Sequence, residues 1–147
     1  MVLNTNLSIG DISRHTGCKV QTIRYYEDVG LMPRPRRTAG NQRRYASGDA
    51  DRLAFIRHAR ELGFDLGAIR ELLDLSDAPD KSCETADTIA RVQLRQIDSR
   101  LTRLRALRKE LKRMIDDCEG DRVASCRVIQ ILADHSECLS DDHQASD

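Results

Sequence analysis

Residues 84–117 contain neither proline nor glycine. Within this run Ile89, Val92, Ile97, Leu101, Leu104, Leu107, Leu111 and Met114 recur, and from Ile97 onward the steps are four, three, three, four and three residues. That near-heptad spacing, with one slip, places the apolar side chains along one face of a helix. The run predicts an unbroken helix of about nine turns. Such a helix is too long and thin to bury its stripe against a small domain. It is therefore expected to pair with a copy of itself as a coiled coil. Its basic side chains, Arg100, Arg103, Lys109 and Arg113, read as a solvated surface with acidic neighbours rather than as a nucleic-acid face. With 147 residues, 33% charged, 3% aromatic and no tryptophan, the chain has room for one small domain plus such an appendage.

The segment ahead of this helix has a different texture. "LSIGDISRHTGCKVQTIRYYEDVGL" predicts two short helices joined by a tight turn. Ser8 is placed as the cap of the first, with Asp11 three residues on. Ile9 and Ile12 face inward. Gly17 suits a left-handed break. Val20, Ile23 and Tyr26 restart the stripe, which ends before Gly30. Helix, glycine-containing turn and helix make a helix-turn-helix. "LMPRPRRTAGNQRRY" then predicts a basic two-stranded wing with Gly40-Asn41 at its turn. Residues 47–62 and 66–75 predict two further amphipathic helices, with Ser47 and Asp65 as caps. "SDAPDKS" is a linker.

The net charge of zero conceals an asymmetry. Residues 1–60 carry eleven Lys and Arg against five Asp and Glu, and residues 61–147 carry 13 against 19. A basic first half suits a polyanionic partner. Gln21, Thr22, Arg24, Tyr25 and Tyr26 fall on the second helix of the helix-turn-helix. There an arginine can take a guanine edge, and threonine or tyrosine can reach bases or phosphates. Arg34, Arg36, Arg37, Arg43 and Arg44 lie in the wing and can neutralise phosphates. No apolar run approaches membrane-spanning length and no signal peptide opens the chain, so a cytoplasmic protein that avoids membranes is expected.

In that compartment thiols stay reduced, and the five cysteines are expected to be ligands or buried residues. Cys118 and Cys126 flank the seven residues "EGDRVAS", where Gly120 allows a sharp turn and "CRVIQILAD" predicts a short helix. Cys83 lies 35 residues upstream of Cys118, across the long helix. At 1.5 Å per residue that is about 52 Å, so one chain cannot bring both to one ion. An antiparallel pair of long helices would place Cys83 of one copy beside Cys118 of the other, giving two symmetric sites. Thiolates select Zn(II), Cd(II), Pb(II), Hg(II) or Cu(I). His135, Cys138 and His143 offer a fourth ligand or a second site, against the alternative of a frayed polar tail. Cys18 is expected to be structural, and His15 and His58 are expected to be surface or packing residues.

"TIRYYEDVGL", "RPRRTAGNQRRY" and "RLAFIRHARELGF", in that order and spacing, resemble the MerR family of winged-helix transcription regulators, and the likeness spans essentially the whole chain. The resemblance implies that Arg24, Tyr26, Arg37, Arg43 and Tyr45 hold DNA, joined by Arg57. It implies that two branches do not apply. The large C-terminal ligand domain of the drug-binding branch has no room here, and the tight four-cysteine motif of the redox-sensing branch is absent. In copper- and silver-sensing members the position of Cys83 is typically serine. Cysteine there resembles the zinc, cadmium, lead and mercury sensors, although the seven-residue loop is also common in the copper branch. The resemblance further implies a homodimer that binds a palindrome within a promoter with too long a spacer. On metal binding the 118–126 loop closes over the long helix, and the DNA is bent and untwisted for RNA polymerase.

The expected fold is mainly α. Residues 1–75 form a winged helix-turn-helix DNA-binding domain with its following helices. Residues 76–118 form the linker and a long antiparallel coiled-coil dimerisation helix. Residues 119–147 form a metal-binding loop, short helix and tail. The expected function is a regulator that binds double-stranded promoter DNA and activates transcription on binding a divalent ion, with zinc, cadmium or lead favoured and mercury as a further candidate. The alternatives are a Cu(I)/Ag(I) sensor of the same family and a Cys118–Cys126 redox switch. An enzyme is not expected: no H-E-x-x-H, nucleophile elbow or phosphate loop occurs.

Overall fold

The computed structural model describes residues 6–118 and 122–138. The chain divides into two compact units, Met1–Ala90 and Arg91–Asp147. The first unit opens with α1 (Ile9–Thr16) and α2 (Val20–Asp28). Ser8 caps α1 as predicted: its hydroxyl accepts from the Asp11 N–H at 3.1 Å, and the Asp11 carboxylate accepts from the Ser8 N–H at 3.0 Å. This closes a capping box that satisfies two donors otherwise left open at the helix start. Gly17 ends α1 at φ 70°, a conformation in which a side chain would also overlap the Arg57 guanidinium.

The wing is β1 (Arg36–Arg37) paired antiparallel with β2 (Arg43–Arg44), in the register Arg36 with Arg44 and Arg37 with Arg43. Its turn lies at Gly40-Asn41, as predicted. Asn41, not Gly40, takes the left-handed conformation, at φ 61°. Asparagine tolerates this region because its short polar side chain bonds locally, and here Asn41 Oδ1 accepts from Arg37 at 2.8 Å. The helices α3 (Ser47–Glu61) and α4 (Leu66–Ser76) follow. Asp65 caps α4 through the Ala68 N–H at 2.8 Å. The cap of α3 sits one residue earlier than expected: Ala46 occupies it, and the Asp49 carboxylate accepts from the Ala46 N–H at 2.7 Å.

Ile12, Ile23, Leu53, Ile56 and Ile69 are fully buried in the core of this unit, with Leu31, Met32 and Tyr45 beside them. Two arginines brace the connection after α2. Arg52 Nε donates to the Leu31 carbonyl at 2.8 Å, and Arg70 donates to the Val29 carbonyl at 2.6 Å.

Helix α5 (Glu84–Asp116) runs unbroken for 33 residues. Its apolar face is open: Val92, Leu94, Ile97, Leu101, Leu104, Leu111 and Ile115 are all exposed. The stripe differs from the predicted one at its end, where Met114 is buried and Ile115 is exposed. In the second unit a 3₁₀ turn (Val123–Ser125) leads into α6 (Arg127–Ala133), whose Ile131 is buried. Residues 135–137 form another 3₁₀ turn, and the tail expected beyond residue 138 lies outside the described residues. Arg113 ties that turn down, donating to the Glu137 carbonyl at 2.7 Å and pairing with Glu110 at 2.6 Å. Arg127 pairs with Glu137 at 2.8 Å. Among the described residues no helix is long and apolar enough to cross a membrane.

Candidate nucleic-acid interface and thiol pair

Helix α2 sorts its side chains by depth. Gln21, Arg24 and Tyr25 are exposed, Thr22 is half-buried, and Tyr26 is buried. The Tyr25 and Tyr26 rings lie 5.8 Å apart at a tilt of 47°. Thr22 and Tyr26 line an open cleft of about 490 Å³ together with Lys19, Arg57 and Arg60. Burial raises the Tyr26 hydroxyl above the ordinary tyrosine range, and the neighbouring Arg60 opposes that shift. The hydroxyl therefore stays protonated at neutral pH and can donate. Lys19 and Arg60 were not among the residues singled out from sequence. They lie outside the recognition-helix motif, and only the fold brings them to the cleft.

On the wing the two strands differ. Arg36 and Arg37 of β1 are exposed, while Arg43 and Arg44 of β2 are half-buried. Arg34, Arg36, Arg37 and Arg44 line a second cleft of about 790 Å³. Arg44 Nε is buried with no hydrogen-bond acceptor among the described residues. A buried donor without a partner costs free energy unless an outside acceptor reaches it.

Two residues named from sequence sit differently from that expectation. Tyr45 is 1% exposed, and its hydroxyl donates to the Glu27 carboxylate. As placed, Tyr45 braces the wing from within the core. Arg57 is exposed, but its Nε pairs with Glu61 at 2.8 Å and its terminal amino group donates to the Thr16 carbonyl. Arg57 thus lies over Gly17 and the helix-turn-helix turn. Cys18, in the same turn, is buried, and His15 and His58 are exposed.

The second unit holds the thiols Cys118 and Cys126, with Sγ atoms 3.9 Å apart. Cys118 follows the last turn of α5. Cys126 is the cap residue of α6. Backbone hydrogen bonding from Ile129 pulls the Cys126 thiol below its ordinary pKa, the Cys118 side chain and Val128 adding to this while burial opposes it. The donor set and its spacing fit a thiophilic ion.

Cys83 is exposed just before α5 in the first unit, where its carbonyl accepts from the Asp87 N–H at 2.9 Å. Cys138 is half-buried and its thiol lies near Arg113. His143 lies outside the described residues, as does the side chain of His135. Among the described residues of a single chain, no group of three or more His, Cys, Asp and Glu gathers for a metal.

Residues 7–76 match the family described as MerR HTH family regulatory protein, and residues 50–114 match the one described as MerR, DNA binding. The chain is 36% identical over 127 residues to the HTH-type transcriptional regulator ZntR of Escherichia coli strain K12, covering 84% of this chain and 90% of that one. It is 35% identical over 128 residues to the HTH-type transcriptional regulator HmrR of Rhizobium leguminosarum bv. viciae, covering 87% and 98%. Among solved structures, the transcription regulator PbrR691 from Ralstonia metallidurans CH34, in complex with lead(II), superposes with a TM-score of 0.74 at 34% identity, covering 86% of this chain and 98% of that one.

Proposed function

The chain belongs to the MerR family of helix-turn-helix regulatory proteins, and from that premise we propose that it is a homodimeric activator of transcription controlled by a thiophilic divalent metal ion. The carrying observation is the Cys118–Cys126 pair at 3.9 Å. Two thiols within reach of one ion fit a thiophilic metal, and Cys83, a cysteine where copper- and silver-sensing members typically carry serine, supports zinc, cadmium or lead over Cu(I). The relative solved with lead(II) supports the same class. Mercury is a further candidate.

The third thiolate is Cys83 of a second copy. At the rise of an α-helix the 33 residues of α5 span about 50 Å, which supports ligands drawn from two copies rather than from one chain. The open seam along α5 supplies the surface on which two copies pair. Leu104, Leu107, Leu111 and Ile115 line a groove of about 520 Å³ along it. A bound ion would supply a cross-link between the copies. The chain's own part is to hold two thiols at the right spacing, one already biased toward thiolate.

The DNA-contacting set is Gln21, Thr22, Arg24, Tyr25 and Tyr26 on α2 and Arg37, Arg43 and Arg44 on the wing, with Lys19 and Arg60 added by the cleft they share with Tyr26. The unpartnered Arg44 Nε supports an anionic acceptor at the wing. Tyr45 supports this surface from within the core, and Arg57 joins the set in the cleft that it shares with Lys19, Tyr26 and Arg60. The mechanism requires the DNA-distorting state to bind metal more tightly than the relaxed one, and RNA polymerase to read the difference.

Promoter output in vitro, measured against Zn(II), Cd(II), Pb(II), Hg(II) and Cu(I), with and without oxidant, tests this reading. Divalent ions should activate, and Cys83→Ser should abolish that response while leaving operator binding intact. Activation by Cu(I) alone, or by oxidant without metal, would replace it with a monovalent sensor or a redox switch.

A further inference from the structure

Glu27 is an acidic residue on the element that faces DNA, where a free carboxylate would repel phosphates. Its surroundings give it a different role. The Glu27 side chain is 6% exposed, and both carboxylate oxygens are engaged by wing residues. Oε1 accepts from the Tyr45 hydroxyl, and Oε2 accepts from Arg43 Nε at 3.1 Å. Tyr45 in turn exchanges both backbone hydrogen bonds with Leu7, each at 2.9 Å. The wing has only two residues per strand. A ribbon that short does not fix its own direction in water, so tertiary contacts must set it.

We propose that Glu27 is a positioning residue that locks the wing to the recognition helix and aims Arg43 at DNA. A buried carboxylate is costly unless paired and hydrogen-bonded, and here the two wing side chains meet that requirement. The bonds are charge-assisted, which makes them directional. Holding Arg43 by Nε leaves its two terminal amino groups for an outside acceptor. Fixing them before DNA arrives removes the ordering cost that a freely rotating arginine would carry into the complex. Burial and the Glu27 carboxylate both push the Tyr45 hydroxyl well above the ordinary tyrosine range, so its proton stays in the bond across the physiological range. The inference rests on the reading of α2 and the wing as DNA-contacting elements.

The test uses the full-length protein. The probe is a duplex that the wild-type chain selects from a random-sequence library, with an unselected duplex of equal length beside it. If Glu27 were only a negative charge near DNA, Glu27→Ala would tighten binding. The proposal predicts the opposite sign: affinity for the selected duplex falls about tenfold, as for Arg43→Ala, and the slope of log affinity against log salt falls by about one in both variants. The double variant should bind no more weakly than Arg43→Ala, because the two changes remove one contact. Glu27→Gln, which keeps a hydrogen-bond acceptor, should recover part of the loss.

Should Glu27→Ala fail to fold, Tyr45→Phe carries the test. It keeps the buried ring, removes only the hydroxyl, and should weaken selected binding and flatten the salt slope in the same direction. Tighter or unchanged binding in the folded variants, with Arg43→Ala still weakened, overturns the positioning role alone. If Arg24→Ala and Arg43→Ala both leave selected binding unchanged, the DNA-contacting reading itself falls.

Discussion

The two units of this chain treat their apolar residues in opposite ways. In the first, Ile12, Ile23, Leu53, Ile56 and Ile69 are fully buried among residues of the same unit. In the second, among the described residues, Met114 and Ile131 are the buried hydrophobics, while Leu104 is 60% exposed and Ile115 is 68% exposed. One unit buries its apolar residues within itself, and the other leaves a stripe of them exposed. An open seam of this size marks an interaction surface. The division matches what each unit carries: the first holds the helix-turn-helix and the basic wing, and the second holds the Cys118–Cys126 thiol pair.

The comparison breaks most readily at the seam. Replacing Leu104 and Leu111 together with lysine should convert dimer to monomer in sedimentation and lower operator affinity by more than a hundredfold, since each buried leucine is worth about 1.5–3 kcal/mol. The isolated first unit should keep its helical signal. A dimer that persists would place the interface elsewhere. A smaller effect, of about 2–5 kcal/mol, is expected from Ile56→Ala, which leaves a cavity in the first unit. Chemical denaturation should show that loss independent of protein concentration, whereas melting of the second unit should depend on concentration.

Ser8→Ala sharpens the contrast at the low end, with a cost of about 1 kcal/mol confined to the first unit. Its partner Asp11 has a carboxyl held below the usual range, chiefly by the Ser8 hydroxyl and backbone hydrogen bonds. A carboxyl whose folded pKa is lowered adds stability above its unfolded pKa and loses it as pH falls through the folded value. The difference in stability between wild type and Asp11→Asn should therefore shrink as pH drops below the ordinary carboxylate range. A difference that persists in acid would assign it to packing.

Local signals made most of this legible in the sequence. Ser8 with Asp11 reads as a capping box, Gly17 as a left-handed turn, and the run from 84 onward as one helix, because each depends on neighbours a few residues away. What failed to show depends mostly on distant partners, the cap of α3 being a local exception. Asp49, not Ser47, closes the start of α3, since both residue types suit a cap and only backbone geometry chooses between them. Tyr45 follows a basic run and looked outward-facing, yet its ring is core and its hydroxyl reaches Glu27, 18 residues away in sequence. Glu27 itself, inside "RYYED", resembles an ordinary solvated acid. Arg113 looked like one of several surface cations, but its contact with Glu137 crosses 24 residues. The thiol pair was legible as a candidate from residue type, whereas its spacing came only from the fold.

The central claim is that a second copy completes the metal site, and a mixed dimer tests it most directly. One chain carries Cys83→Ala and the other Cys118→Ala. If each site joins Cys83 of one copy to Cys118 and Cys126 of the other, one site loses both altered positions and the other stays whole. Purified heterodimer titrated with Zn(II), Cd(II) or Pb(II) should then bind about one ion tightly per dimer, while each parent homodimer binds poorly. A heterodimer with no tight site would contradict the shared geometry and place all the ligands within one chain.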